Sequence, residues 1–294
     1  MHTTLISLFL LFFFDCFGKQ CAYDSYFYAK YPRQLSIAAI FQDEARFMKE
    51  WLDFHLSVGV EHFYLYNNNS TDDYMHVLKP YIKSGLVELI QWPGTKNRGR
   101  WTHFTYHVQV NAYEDAIERC ENVTKWLALI DLDEFIVPVC GLSIPEILEE
   151  HFSHDSGICV NWQCYGTSNI FKIEPEEKSI KNLLYKMRKN HPKNHYCKSI
   201  VNPRRVKKVV DPHYVEYKAF YYHVDTNKNR YHHPGSRVLI DKLRINHYWT
   251  RDEYYLYQVK IPRWQNLGID LNEMLKNASE MNEVFDDCIL KFIR

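Results

Sequence analysis

The sequence predicts an α/β fold in which a Rossmann-like, mostly parallel sheet is flanked by helices. The first observation behind this prediction is the alternation of short apolar runs with amphipathic stretches from residue 35 onwards. The second is that the connections between them are short. Because the chain shows no internal repeat and no obvious linker, we predict a single domain over residues 33–294.

The first part of this domain, residues 35–92, is predicted to be β-α-β-α-β. The apolar run at residues 35–41 is typical of a buried parallel strand. Phe47, Trp51 and Phe54 then recur at helical spacing until a glycine ends the pattern. The predicted elements are strands at 35–41, 60–66 and 87–92, with a helix after each of the first two, the second of them at 74–84.

The second part alternates in the same way, although its pattern is less regular towards the end. Residues 172–199 are basic and are predicted to be helical in part. The other predicted elements are helices at 102–119 and 143–152, strands at 126–130, 157–164, 215–224 and 243–248, and helix over most of 251–294.

The stretch at residues 126–138 places three carboxylates between two apolar runs. Asp131, Asp133 and Glu134 lie within four positions, and like charges so close together repel one another. In an extended segment Asp131 and Asp133 point to the same side, so both can face one cation. Oxygen ligands favour Mg²⁺ or Mn²⁺ over zinc. The alternative is a solvated acidic turn, but the apolar flanks on both sides favour a metal site.

Polar side chains also follow other predicted strands. Residues 42–44 and 67–73 come directly after the first two strands, at the edge of the sheet where ligands of such folds bind. The first group would equally well cap a helix, and the second would equally well form an ordinary turn. Arg98 and Arg100 lie in a basic loop, as solvated charges or as partners of a diphosphate.

Composition narrows the classes of function. Lys plus Arg and Asp plus Glu both number 36, so the net charge of zero gives no reason to expect binding to nucleic acid. The 22 tyrosines suit a carbohydrate or nucleobase surface, because their rings stack and their hydroxyls form hydrogen bonds, and the alternative is a general compositional bias. The eight cysteines include no C-x-x-C pair, which predicts one to three disulfides rather than a zinc site.

Residues 1–20 read as a signal peptide or an uncleaved signal anchor. The apolar run at residues 5–14, broken only by Ser7, is too short for a comfortable membrane span. We therefore expect a location in the secretory pathway or at a membrane. This would be the Golgi or ER lumen in a eukaryote and the envelope in a bacterium. Membrane association would run through this N-terminal segment.

Five stretches occur in a consistent order and spacing over about residues 35–257. They are AAIFQDEA at 38–45, EWLDFH at 50–55, the acidic stretch at 126–135, KSIVNP at 198–203 and NHYW at 246–249. Together they resemble glycosyltransferase family 92, within the glycosyltransferase A-type fold. The resemblance implies that a sugar, often galactose from UDP-galactose, is transferred to a glycan hydroxyl with inversion at the anomeric carbon.

The same resemblance implies roles for individual residues. Asp131 and Asp133 would hold Mn²⁺ (or Mg²⁺) on the diphosphate of the UDP-sugar, with His247 as a further ligand and His213 as the second choice. The residues expected to bind the nucleotide sugar are Glu44, Asn68, Asp72, Arg98, Arg100 and Asp131, and those implied to line the loop for the donor sugar and acceptor are Trp162, Gly166, Thr167 and Ser168.

The general base and the rival functions stay open at this point. An attacking hydroxyl needs a carboxylate base, and no pattern singles one out among Glu174, Glu216, Asp225 and Asp241. Glu134 is expected to support the metal-binding carboxylates of Asp131 and Asp133 without binding the metal itself. One rival function is a catalytically inactive glycan-binding module of the same fold. Another is a metal-dependent phosphohydrolase, although a nucleophile motif for that chemistry is lacking.

Overall fold

The computed structural model of the chain describes residues 31–94, 104–141, 143–233, 235, 237–265, 268 and 270–293. In this part of the chain a nine-stranded sheet is covered by helices on both faces. None of the helices found there combines the length and the apolar character needed to cross a membrane. The predicted targeting segment at residues 1–20 lies outside the described residues.

The elements have the following bounds. The strands are β1 (Arg33–Phe41), β2 (His62–Asn67), β3 (Val87–Gln91), β4 (Thr124–Leu129), β5 (Glu134–Pro138), β6 (Gly157–Cys164), β7 (Tyr185–Lys186), β8 (Cys197–Val201), β9 (Val206–Asp211), β10 (Tyr214–Tyr217), β11 (His223–Val224), β12 (Leu243–His247) and β13 (Val284–Phe285). The α-helices are α1 (Ala45–Ser57), α2 (Tyr74–Lys83), α3 (Phe104–Cys120), α4 (Ile144–Phe152), α5 (Ser179–Asn182), α6 (Glu253–Tyr255), α7 (Ile261–Gln265) and α8 (Leu271–Glu280), and a π-helix, Leu256–Lys260, joins α6 to α7.

The main sheet confirms the predicted fold class. Its strand order is β3-β2-β1-β4-β8-β6-β12-β5, and β11 pairs with the start of β6. The pairings among β3, β2, β1 and β4 are parallel, and so is the pairing of β6 with β12. β8 lies antiparallel between β4 and β6, and β5 lies antiparallel beside β12. These two strands bring their first residues to the edge where the parallel strands end.

The core is divided between the two faces of this sheet. On one face, α1 and α4 cover alternate side chains of β1, among them Leu35, Ile37 and Ala39. On the other face, α3 and the β9–β10 hairpin cover Ala38 and its neighbours on β2 and β4. Because β1 is buried on both faces, it has no solvent side, which explains why its run at residues 35–41 is apolar except for Ser36.

A buried histidine on α1 links this helix to β5. His55 Nδ1 donates to the carbonyl of Trp51 at 2.9 Å, and His55 Nε2 accepts from the amide of Ile136 at 3.2 Å. An Nε2 atom that accepts a hydrogen bond carries no proton, so the ring is neutral. Burial lowers the pKa of His55 from 6.5 to about 3.

We expect the free energy of unfolding to fall as the pH is lowered from 6.5 towards 3, because the unfolded chain binds a proton at His55 that the folded chain excludes. The contribution of neutral His55 is complete above the unfolded pKa and is lost progressively below it. His55→Gln removes the titrating ring and is expected to flatten the pH dependence. Chemical denaturation at about pH 7 and about pH 4.5 measures both slopes. Equal slopes in the two proteins contradict the prediction.

The stretch at 172–199 is helical in part, as predicted, since it contains α5 and a 3₁₀ helix, Pro192–His195. The less regular part of the chain departs from the predicted elements at two other places. The predicted strand at 215–224 is divided into β10 and β11 by an exposed turn, and the predicted helix at 251–294 gives way at 284–285 to β13, which pairs with β7. These predictions were wrong because pairing between distant strands outweighs a weak local preference.

The cysteines of the described residues differ from the prediction as well. All six of them are free thiols, so the one to three predicted disulfides are not found in this part of the chain. The buried ones are Cys120, Cys159, Cys164 and Cys197. Cys197 Sγ is hydrogen-bonded to the hydroxyl of Tyr231 at 3.2 Å, whereas the others pack chiefly as small apolar side chains.

Candidate active site

The acidic turn between β4 and β5 lies at the edge of the sheet where the parallel strands end. Its backbone is held from two sides. Glu134 Oε2 accepts a hydrogen bond from the amide of Asp131 at 2.9 Å, and Arg251 Nη2 donates to the carbonyl of Leu132 at 2.9 Å. With its peptide groups bound in this way, the turn presents the carboxylates of Asp131 and Asp133 in fixed directions.

Both carboxylate oxygens of Asp131 are bound by protein donors. Gln109 Nε2 and Tyr113 Oη on α3 lie 2.6 and 3.4 Å from Oδ1, and Lys198 Nζ lies 2.8 Å from Oδ2. Lys198 reaches this position because antiparallel β8 begins here. Burial alone would raise the pKa of Asp131, but the positive charge of Lys198 outweighs it and holds the pKa below its usual value.

The same lysine also lies beside Glu134. Lys198 Nζ is 3.7 Å from Glu134 Oε2, and both side chains are fully buried. Burial raises the pKa of Glu134 well above its usual value, more than the lysine lowers it. Through its hydrogen bond from the amide of Asp131, Glu134 fixes the turn, which agrees with the supporting role predicted for it.

Asp133 lies between a histidine and a lysine. His247 Nε2, at the end of β12, is 3.5 Å from Asp133 Oδ1, and Lys260 Nζ is 3.0 Å from Oδ2. Burial would raise the pKa of Asp133, but Lys260 and then His247 outweigh it and hold the pKa well below its usual value. Asp133 is therefore a carboxylate at neutral pH.

Lys260 owes its position to the π-helix. This segment, Leu256–Lys260, contains an additional residue compared with an α-helical turn, and such insertions are frequent at functional sites. The widened turn places Lys260 on the side that faces the acidic turn, with 11% of its side chain exposed. The ammonium group is thus directed into the protein instead of into solvent.

The donor atoms around Asp133 fit a divalent cation. Two ligands in adjacent positions of an octahedral Mg²⁺ or Mn²⁺ site are about 3 Å apart, close to the 3.5 Å between Asp133 Oδ1 and His247 Nε2. A mixed carboxylate and imidazole set suits Mn²⁺. Within the described residues, no three His, Cys, Asp or Glu side chains converge to hold a metal alone. Asp133 and His247 would therefore share the ion with ligand oxygens, as Mg²⁺ sites with bound phosphates do.

An aromatic group lines the sheet edge beside His247. The ring of Trp162, near the end of β6, lies 4.2 Å from His247 and 5.2 Å from both Tyr196 and His213. His213 Nδ1 donates to the carbonyl of Cys197 at 2.9 Å, so its Nε2 carries the lone pair. Burial lowers the pKa of His213 to about 4, and the charge of Lys198 adds to this. Trp162 is one of the residues predicted to contact the sugar. Because its ring packs on His247, which faces Asp133, it lies beside the acidic turn.

The rest of that predicted loop has other contacts. Asn282 binds it: its Oδ1 accepts from the amide of Ser168 at 2.7 Å, and its Nδ2 donates to the hydroxyl of Thr167 at 3.1 Å. A Cβ atom on Gly166 would lie 2.3 Å from Asn282 Oδ1, so only glycine fits. Gly166, Thr167 and Ser168 thus serve to dock the chain against residues near β13.

Glu44, a predicted nucleotide-binding residue outside the acidic turn, contacts the arginine that holds this turn. Its carboxylate lies 3.7 Å from the Nη2 atom of Arg251. Glu44 Oε2 is buried and has no hydrogen-bond partner among the residues that the structure describes. Burial raises the pKa of Glu44, more than Arg251 lowers it. A ligand that donates a hydrogen bond would satisfy this oxygen.

Asn68 and Asp72 are instead used to join loops. Asn68 Oδ1 accepts from the amide of Gly94 at 2.9 Å, and Asp72 Oδ2 accepts from the amide of Ala45 at 2.7 Å, at the start of α1. Both side chains therefore bind backbone groups near the predicted site. Arg98 and Arg100 lie outside the described residues.

The four carboxylates considered as a general base contact residues outside the acidic turn. Asp241 has 79% of its side chain exposed, and its ion pair is with Lys189 at 3.7 Å. The other three have local partners: Glu174 pairs with Lys172, Glu216 with Lys207 and Lys208, and Asp225 with Asn227 and Asn229.

Several residues of this site were not predicted as site residues. Lys260 and Arg251 follow the strand of His247 in a stretch that shows only helical character, and Tyr113 is one of many tyrosines. Tyr196 precedes β8 by one residue. The one signal that would have found Tyr196 is its place at the start of an antiparallel strand, which is visible only once the pairing is known.

Comparison with known proteins identifies a family. A model of glycosyltransferase family 92 matches residues 34–284. A glycosyltransferase family 92 protein of Ricinus communis is 25% identical over 176 residues, which are 58% of this chain and 29% of that protein. Galactan beta-1,4-galactosyltransferase GALS3 of Arabidopsis thaliana is 33% identical over 110 residues, 35% of this chain and 21% of that protein. The chain thus spans less than a third of the length of these curated relatives.

Solved structures show a weaker likeness. S. aureus TarS 1-349 covers 84% of this chain and 70% of its own with 12% identity and a TM-score of 0.39. The glucosyl-3-phosphoglycerate synthase from Mycobacterium tuberculosis covers 59% and 58% with 10% identity and a TM-score of 0.32. Similarity at this level gives no information about substrates. The family match, in contrast, extends from the first strand to the last, and the chain belongs to glycosyltransferase family 92.

Proposed function

We propose that the protein is a metal-dependent glycosyltransferase that moves a hexose, with galactose as our first choice, from a UDP-sugar to a glycan hydroxyl with inversion. The observation that carries this proposal is the convergence of Asp133, His247 and Lys260 at the end of the sheet. An anionic diphosphate needs compensating positive charge, and this group would provide it from a lysine and a cation-binding pair.

The leaving group sets the requirements for the donor side of the site. When bound, Mn²⁺ or Mg²⁺ would neutralise the charge that grows on the diphosphate, and Asp133 and His247 would hold it. Lys260, 3.0 Å from Asp133, would add a second positive charge beside the same oxygens. Because 35% of its side chain is exposed, Asp131 would still accept a hydrogen bond from a hydroxyl of the UDP-sugar.

The acceptor side rests on the aromatic group. Tyr196 has about half of its surface exposed and lies next to Trp162, so the two rings form a shelf on which a sugar would stack. The unprotonated Nε2 of His213 would accept a hydrogen bond from a sugar hydroxyl. The relatives named as galactan beta-1,4-galactosyltransferases support galactose and a glycan acceptor, each through a match to a small part of its length.

A second candidate is a catalytically inactive glycan-binding module of the same fold. The aromatic shelf favours it, because stacking requires no reacting group, and so does the distance of the four carboxylates considered as a base from the acidic turn. We also propose a location in the secretory pathway or at a membrane, which rests on the apolar run at residues 5–14.

Incubation of the full chain with a panel of UDP-sugars and glycan oligosaccharides tests these functions. We expect UDP release and sugar transfer that require Mn²⁺ or Mg²⁺ and stop with a chelator. Glycan binding without UDP release would support the inactive module instead. Release of phosphate from simple esters, with no sugar transfer, would support a phosphohydrolase and contradict both.

A further inference from the structure

Three consecutive aromatic side chains project from the turn between β10 and β11. Phe220 is 98% exposed, and Tyr221 and Tyr222 are 44% and 45% exposed. A single exposed apolar side chain is ordinary, but a run of three on one turn forms a patch that marks an interaction site.

Hydrogen bonds fix the start of this exposed turn. The amide of Lys218 donates to the carbonyl of Arg205 at 2.9 Å, and Lys218 Nζ donates to the carbonyl of Arg204 at 2.8 Å. Phe220 has a φ of +71°, in the left-handed region that a bulky side chain rarely adopts. Strain of this kind persists where the surroundings impose it, and it occurs frequently at functional positions. The fold thus presents Phe220 to solvent.

Two arginines stack on the rings of Tyr221 and Tyr222. The guanidinium of Arg205 lies 4.8 Å from the centre of the Tyr221 ring, and that of Arg230 lies 4.9 Å from the centre of the Tyr222 ring. Glu216, which lies near this turn, pairs with Lys207 and Lys208. Arg205, in contrast, donates to the backbone carbonyls at 154 and 155, and no carboxylate of the described residues lies within ion-pair distance of it.

The position of the patch in the fold relates it to the N-terminal segment. Arg204 donates to the carbonyl of Thr124 at 3.1 Å, at the start of β4, and its guanidinium lies 4.0 Å from the centre of the Tyr31 ring, two residues before β1. The patch is therefore at the edge of the sheet opposite to the acidic turn. The sequence that precedes Tyr31 contains the apolar run at residues 5–14.

We propose that this aromatic-basic edge, composed of Arg205, Phe220, Tyr221, Tyr222 and Arg230, docks on the surface of a membrane that contains anionic phospholipid. Aromatic rings with cationic groups beneath them are typical of side chains at the membrane–water interface. The acidic turn follows β4 and so lies about 20 Å from this edge, the length of a strand of that size. A docked molecule would hold its candidate active site away from the membrane, open to a soluble donor and acceptor.

Fluorescence of the full chain with Phe220→Trp tests this proposal directly. The probe is vesicles of phosphatidylcholine with about 30% phosphatidylserine, part of it brominated on the acyl chains to quench nearby tryptophan. The signal of the native tryptophans is subtracted with the wild-type protein. We expect quenching at position 220. The matched control is Phe171→Trp, at a position that is 70% exposed on another part of the surface, and it should remain unquenched.

A second measurement separates this edge from binding by the N-terminal segment alone. Phe220→Ser combined with Tyr222→Ser is expected to lower the fraction of full chain that floats with these vesicles about tenfold. Sugar transfer without vesicles should not change. Absence of quenching at position 220, or equal quenching at 171, overturns the proposal, as does flotation that is insensitive to the double substitution. A protein surface would then be the better candidate for the partner of this edge.

Discussion

Asp133→Asn is expected to lower kcat/KM for sugar transfer by about 10²- to 10³-fold, the usual effect of removing one preorganised charge from a group that stabilises a leaving anion. Asparagine keeps the size of the side chain but removes the charge that pairs with Lys260 and faces His247. The concentration of Mn²⁺ that gives half-maximal rate should rise as well. Initial rates of UDP release at several Mn²⁺ concentrations measure both quantities.

A matched control separates this effect from a general loss of negative charge. Glu150→Gln removes a carboxylate of α4 that is 61% exposed, and it should leave both the rate and the Mn²⁺ requirement unchanged. If Asp133→Asn transfers sugar at the wild-type rate at every Mn²⁺ concentration, then Asp133 has no role in holding the metal and the proposed site is wrong.

Lys198→Met is expected to lower the free energy of unfolding by about 3 kcal/mol, because it leaves the carboxylate of Asp131 without its counter-charge. This is the lower end for a broken buried pair, since 35% of the Asp131 side chain is exposed and water screens it. The melting temperature should fall by about 10 °C. Calorimetry or chemical denaturation measures the change.

The pH dependence identifies the cause of that loss. The pKa of Asp131 is depressed in the folded chain, so the stability contributed by Lys198 is present above pH 3.8 and is lost at lower pH, as the folded carboxylate takes up a proton. The difference between wild type and Lys198→Met should narrow accordingly. Lys207→Met, which removes an exposed lysine paired with Glu216, should change stability by less than about 0.5 kcal/mol. An equally large loss there would contradict the explanation.

Much of the first half of the fold was predictable because local pattern and tertiary structure agree there. The apolar run of β1 and the helical spacing after it reflect a strand buried on both faces and an amphipathic helix that covers one of them. Asp131, Asp133 and Glu134 stand out for the same reason, since carboxylates between two apolar runs have few explanations. Asp133 and His247 were also predicted as metal ligands, and the structure brings them together.

The rest of the site depends on packing that no local pattern reveals. Lys260 faces Asp133 because a π-helix shifts it, and a single additional residue in a helical turn has no sequence signature. Asn68 and Asp72 follow a strand as nucleotide-binding residues would, yet they bind backbone amides. A polar side chain after a strand can serve either purpose, and only the position of its neighbours decides between them.

The place of β12 between β6 and β5 has a consequence for protein synthesis. β5 leaves the ribosome directly after the acidic turn, but its partner in the sheet, β12, ends at His247, more than a hundred residues later. At typical elongation rates this delay is roughly 5–20 s. During that time β5 has no neighbouring strand, and the acidic turn is joined to the sheet only through β4. A nascent chain that stops before Leu243 would expose β5 to aggregation and to chaperones.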